Sequence, residues 1–151
     1  LIVDTHPGFE RINQAWFAIT NYLILISRIT PVDIENLGML LKEKNLLDIR
    51  KKLVVFNNVY IDEGRNAHKT MKNNEMQGKF LYYLKNPSVI TGINPEEDNS
   101  VEIFRHPIPY SEALATFSKD KGLYMLTHKV SDFTLIMKAL AEKIENDLGK
   151  Q

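Results

Sequence analysis

Short runs of β-branched and apolar residues alternate along this chain with longer segments whose apolar residues recur every three or four positions. A chain that changes period in this way buries both kinds of segment when strands and helices alternate, which gives βαβ units and a parallel sheet. Strands are predicted at Leu1 to Val3, Tyr22 to Ser27, Lys52 to Phe56 and Val101 to Phe104. Each is nearly continuous in apolar character, as a strand covered on both faces has to be. The expected fold class is α/β: three-layer, with a mainly parallel sheet and helices on both faces. A chain of 151 residues, 44% apolar and 25% charged, is sufficient for one such core.

The helices follow from the spacing between those runs. Ile12, Trp16 and Ile19 form one stripe, and Ile34, Leu37, Leu40 and Leu41 a second. The second helix has a strong start signal in Thr30-Pro31-Val32-Asp33: a hydroxyl at the cap, a proline whose missing N–H costs nothing there, and an acid three residues after the cap. A third helix is expected from about Asn66 to Lys85, interrupted by Gly78 and ended by Asn86-Pro87. Asn86 to Ser100, with two prolines, a glycine and Glu96-Glu97-Asp98, reads as an exposed connection whose acids are solvated. Ser111 caps a short helix stopped by Gly122. Ser131 caps a final one with Phe133, Ile136, Met137, Leu140, Ile144 and Leu148 on one stripe.

Several function classes are disfavoured by composition. Lysine plus arginine and aspartate plus glutamate both total 19, so no global field concentrates nucleic acid or anionic lipid, and there is no direct nucleic-acid signal. The longest apolar run, Tyr22 to Ile26, is too short to span a bilayer, and no basic segment leads into an apolar one at the start, so there is no membrane or export signal. The absence of cysteine removes disulfides, thiolate metal sites and cysteine nucleophiles, and fits a reducing cytoplasm, the expected location. His6, His68, His106 and His128 lack the short spacing of a metal pair.

In an open parallel sheet, ligands bind beyond the carboxyl ends of the strands. The four predicted strands run into Asp4-Thr5-His6-Pro7-Gly8, Ser27-Arg28-Ile29-Thr30-Pro31, Asn57-Asn58 and His106-Pro107-Ile108-Pro109. Four polar, turn-forming clusters at four carboxyl ends make a constellation. Asp4 could hold a metal-bound water or orient a nucleophilic one beside a phosphate, or simply cap the next helix. Gly8 either lets backbone N–H groups approach a phosphate or serves as a turn glycine. The Asn57 amide can read a purine edge, or close a turn. Arg28 could neutralise phosphate, although an arginine ending a strand more often pairs locally. Arg50-Lys51-Lys52 lies at the opposite end of the sheet and reads as a solvated turn. No glycine-rich loop ending in Gly-Lys-Ser/Thr is present.

At these clusters the sequence resembles the MinD/ParA-like deviant-Walker P-loop ATPases, carboxyl-terminal half only. Leu1-Ile2-Val3-Asp4-Thr5-His6-Pro7-Gly8 is similar to the family's strand and γ-phosphate switch, with His6 where the family has proline or alanine. Leu53-Val54-Val55-Phe56-Asn57-Asn58-Val59 is similar to its strand ending in Asn-Arg, with Asn58 where arginine is common. Ile108-Pro109-Tyr110, then Ser111-Glu112-Ala113-Leu114 and Lys121-Gly122, resembles its Ile-Pro turn, helix and basic-glycine stop. The resemblance covers nearly the whole chain.

The resemblance implies a partial P-loop NTPase fold, with 1–151 as the carboxyl-terminal half of one nucleotide-binding domain. It implies a parent protein that binds and hydrolyses ATP with magnesium, passes to ADP, and controls dimerisation by its nucleotide. Asp4 would be catalytic and hold magnesium through water, while Thr5, Gly8, Asn57, Asn58 and Pro109 would contact nucleotide. Leu1-Ile2-Val3 already reads as a buried strand, so residue 1 is expected to lie inside an element, with the phosphate-binding loop upstream. The segment alone is then not expected to be catalytically competent. A sheet cut in this way exposes an edge, from which homodimerisation or self-association, or dependence on the missing amino-terminal half, is expected. The rival expectation is a non-catalytic α/β interaction or regulatory domain.

Overall fold

A computed structural model describes residues 11–43, 46, 48–57, 59, 67–92, 100–108 and 132–149. Helix α1 spans Arg11–Phe17 and strand β1 Tyr22–Ser27; α2 spans Pro31–Leu41 and β2 Lys51–Phe56. Then come α3, Ala67–Lys85, the short α4, Ser88–Thr91, strand β3, Val101–Ile103, and α5, Asp132–Leu148. The predicted strand at Leu1 to Val3 and the predicted helix between Ser111 and Gly122 lie outside the described residues, as does the Ser131 cap.

The three strands form one sheet in the order β1-β2-β3, and both pairings are parallel. The register sets Tyr22 beside Lys51 and Ser27 beside Phe56, and on the other side Lys52 beside Val101. Phe104 extends β3 by one bond, its N–H donating to the Val54 carbonyl at 2.8 Å. All carboxyl ends therefore lie along one rim, as the near-continuous apolar runs required.

Side chains alternate across β2, and two clusters divide accordingly. Val54 and Phe56 pack with Leu37 and Leu41 of α2, Phe80 of α3 and Ile90 of α4. Leu53 and Val55 pack with Phe104 and with Leu140, Ile136 and Ile144 of α5. Helical side chains thus lie against both faces of β2. Ile24 and Ile26, on the α5 side of β1, stand outside that second cluster and are 37% and 67% exposed.

Thr30 caps α2 as its sequence requires: its Oγ1 accepts from the Asp33 N–H at 3.2 Å and Pro31 opens the first turn. The predicted stripe faces inward: Leu37 and Leu41 are buried, and Ile34 and Leu40 pack beside them. Gly38 lies among them because a Cβ there would sit 2.5 Å from the Ile90 carbonyl oxygen, so α4 approaches the α2 backbone directly.

Four expectations are corrected. Ile19 lies past the end of α1 and is 69% exposed, while Asn13 and Phe17, one turn apart, are buried. The predicted exposed connection after Asn86 begins with α4, which buries Ile90 and ends at Gly92 with φ 61°. On α5, Leu148 is exposed and Asp147 takes the inward position after Leu140 and Ile144. Lys51 belongs to β2, not to a solvated turn, and Lys52, which opens the predicted strand, is fully buried instead of solvated, its Nζ donating to Ser100 Oγ at 2.5 Å.

Candidate functional site

Among the described residues, three chain segments form the carboxyl rim. β1 leads into Ser27-Arg28-Ile29-Thr30, β2 into Phe56-Asn57, and β3 into Arg105-His106-Pro107-Ile108. Main-chain bonds tie them together beyond the ends of the ladders. The Asn57 N–H donates to the Ser27 carbonyl at 2.7 Å, the Ile108 N–H to the Phe56 carbonyl at 2.8 Å, and the Val59 N–H to the Ile108 carbonyl at 3.1 Å. Asn57, half-buried, is thus set between the end of β1 and the segment after β3.

Arg28 and Thr30 at this rim share one partner, Asp33. The Arg28 guanidinium donates to Asp33 from Nε at 3.0 Å and Nη2 at 3.4 Å, and remains largely exposed. It pairs locally, as an arginine ending a strand commonly does. The Thr30 hydroxyl donates to Asp33 Oδ2 at 2.5 Å. That bond, partly opposed by burial and reinforced by Arg28, holds the Asp33 carboxyl below its ordinary range. The α2 N-terminus is therefore occupied by a carboxylate from its own first turn. His106, exposed, stands edge-on to Phe104 with ring centroids 5.6 Å apart.

Of the predicted site residues, the described structure includes Asn57 alone. Asp4, Thr5, Gly8, Asn58 and Pro109 lie outside the described residues, as do His6 and His128. The rim brings Asn57 close to Ile108, the residue that leads into Pro109. Among the described residues, no group of three or more histidine, aspartate or glutamate side chains could hold a metal ion, and no helix is long and apolar enough to cross a membrane.

A second polar constellation, not read from the sequence, lies at the opposite rim. Asp147 accepts from Tyr22 Oη at 2.9 Å, and both Lys143 Nζ, at 2.8 Å, and Lys51 Nζ, at 2.9 Å, reach its Oδ1. Glu102 takes the same two lysines, Lys143 at 2.8 Å and Lys51 at 3.1 Å. Burial alone would raise the Asp147 pKa, but the bonds from Lys143, Lys51 and Tyr22 overcome it and bring the carboxyl down to about 2. Burial also works against ionisation of Glu102, and the same lysines again prevail, leaving it below its ordinary value. Tyr22 is pushed up by burial and by its carboxylate partner. Lys143 is pushed up by its carboxylate partners despite burial. The only sequence signal was the Lys143 and Asp147 spacing of one helical turn; their strand partners are remote in the chain.

Comparison of the chain with family models, with curated proteins and with solved structures gives no match.

Proposed function

We propose that this chain is the carboxyl-terminal half of an ATP-dependent molecular switch of the MinD/ParA type, with a partial three-layer P-loop fold. In this reading Asn57 and Pro109 frame the adenine, Asn58 lies beside them, and Thr5 and Gly8 contact phosphate. Asp4 serves the γ-phosphate and a magnesium-bound water. The observation that carries the reading is the bonding of Asn57 to the end of β1 while Ile108 bonds to Phe56 and Val59 on either side of it. Two motifs far apart in sequence are thereby neighbours on the rim where an open parallel sheet takes its ligand. The half without its loop lysine and metal lacks most of the electrostatic stabilisation that phosphoryl transfer needs. It should not hydrolyse ATP alone, and a rate that stays with the chain through successive purification steps would contradict this.

The decisive observation is the coding sequence upstream of Leu1, which should encode a Gly-Lys-Gly-Gly-like loop ending in threonine. In the protein carrying that loop, Asn57→Ala should weaken ATP binding about tenfold, the cost of losing one or two hydrogen bonds to a base edge. Titration calorimetry measures it. Unchanged affinity removes Asn57 from the base pocket.

A second reading, a non-catalytic α/β interaction module, is favoured by the exposed Ile24 and Ile26 on β1. In the switch reading this apolar strip is covered by the amino-terminal half or by self-association along the sheet edge. In the rival reading it is the docking surface itself. A start codon directly before Leu1 decides for the module.

A further inference from the structure

Helix α3 has an inner and an outer face. Phe80 is buried, and Met76, Tyr83 and Leu84 pack beside it against the cluster on β2. Among the side chains described, from Glu75 onward, the outer stripe is Glu75, Gly78, Tyr82 and Lys85, spaced three, four and three residues apart and all exposed. Tyr82 is 52% exposed and Leu81, on its flank, 51%.

Gly78 is the anomaly on this stripe. Glycine inside a helix is disfavoured relative to alanine, and the fold gains no close approach in return, because a Cβ at Gly78 would meet nothing within 4 Å. The stripe therefore offers a notch one turn away from an exposed aromatic ring, with an acid at one end and a base at the other.

These features complement each other in one arrangement. We infer that α3 docks antiparallel against α3 of a second copy of this chain, about a two-fold axis passing midway between Gly78 and Tyr82. Tyr82 of each copy then enters the Gly78 notch of the other, and Glu75 of each faces Lys85 of the other. A parallel pair would set Glu75 against Glu75 and Lys85 against Lys85, so the charge order selects the antiparallel one. Each contact occurs twice, as an isologous interface requires. Within its own chain Glu75 already takes a bond from Lys79 at 2.5 Å, but both side chains are exposed and such pairs exchange at little cost. One helix face per copy is a small contact, so the association is weak and concentration-dependent. It uses a different surface from the β1 edge and does not depend on the nucleotide reading.

Sedimentation velocity of this chain over a concentration series tests the inference. A reversible monomer–dimer equilibrium is expected. Gly78→Leu, which fills the notch with a side chain that the fold has room for, should weaken it by at least about tenfold. Glu75→Lys and Lys85→Glu should each weaken it as well, and the double variant Glu75→Lys/Lys85→Glu should restore it, since the swap re-forms both pairs. The far-ultraviolet circular dichroism of every variant should match the parent, and Gly78→Ala should melt at a higher temperature. A chain that stays monomeric at its highest soluble concentration overturns the inference. So does a dimer indifferent to Gly78→Leu, or a double variant no better than its single parents.

Discussion

Among the described residues, the two rims of this sheet are held together in different ways. At the amino rim, Tyr22, Lys51, Glu102, Lys143 and Asp147 bond to one another, joining all three strands to the last turns of α5. Polar groups that satisfy each other around a buried carboxylate, here Asp147, act as a fastening. At the carboxyl rim, the segments are joined by main-chain bonds through Ser27, Phe56, Asn57, Val59 and Ile108. There the backbone ties the segments to one another, and the Thr30 and Asp33 side chains add the cap of α2. A rim of that kind can change its side chains, and hence its ligand chemistry, without losing the sheet.

The sharpest way to break this contrast is at Asp147, whose side chain is only 5% exposed. Asp147→Ala leaves Lys51 and Lys143 with Glu102 alone and Tyr22 without its acceptor. It should cost about 3 kcal/mol in urea denaturation, the low end for breaking a buried ion pair because both lysines keep partial access to water. The pH dependence has a definite sign. Asp147 falls from an ordinary value of 3.8 to about 2 in the folded chain, so the unfolded chain takes up the proton first as pH drops. Its contribution is complete above about pH 4 and is lost as pH falls toward 2. Asp147→Ala should flatten that limb of the profile; an unchanged acid limb would show that the cluster does not fasten α5.

The carboxyl rim was more legible in the sequence than the amino rim, for a physical reason. Strand ends, caps and turns are local: Thr30-Pro31-Val32-Asp33 contains its own cap partners, and Tyr22 to Ser27 contains its own period. The amino-rim network joins residues from three strands and the last helix, so no window of sequence contains it. Arg50-Lys51-Lys52 had the composition of a turn, and only the register beside Tyr22 made Lys51 a strand residue, one position before the predicted start. On α5 the apolar Leu148 suggested the wrong end to the stripe, because Lys51, Lys143 and Tyr22 make the inward position favourable for a carboxylate. Of the candidate site, Asn57 lies at the carboxyl end of β2, where the strand pattern placed it. The register then brought Ile108 beside it, a relation that spacing alone could not give.

A smaller effect separates capping from fastening within the carboxyl rim. Thr30→Ala removes the acceptor of the Asp33 N–H and the donor to its carboxylate, and should cost about 1 kcal/mol in the same denaturation assay. Thr30→Ser keeps the hydroxyl and should recover most of it. Equal losses for alanine and serine would mean that the Thr30 methyl group, not its oxygen, supports α2. The side chains of this rim would then be more structural than their bonding indicates.

The smallest expected effect on stability is the most informative. Asn57→Ala keeps the main-chain bond to Ser27 and leaves those of Ile108 and Val59 intact. It should therefore change unfolding free energy by less than about 1 kcal/mol, the scale of one side-chain hydrogen bond. Amide hydrogen exchange at Ile108 and Val59 should be unaltered, since these N–H groups are held by Phe56 and by Ile108 itself. If Asn57→Ala instead destabilised the chain as much as Asp147→Ala, with faster exchange at both amides, the Asn57 side chain would be a fastening like those at the other rim. A side chain engaged in that way has little left to offer a base edge, so the stability of this one variant bears on ligand chemistry before any ligand is added.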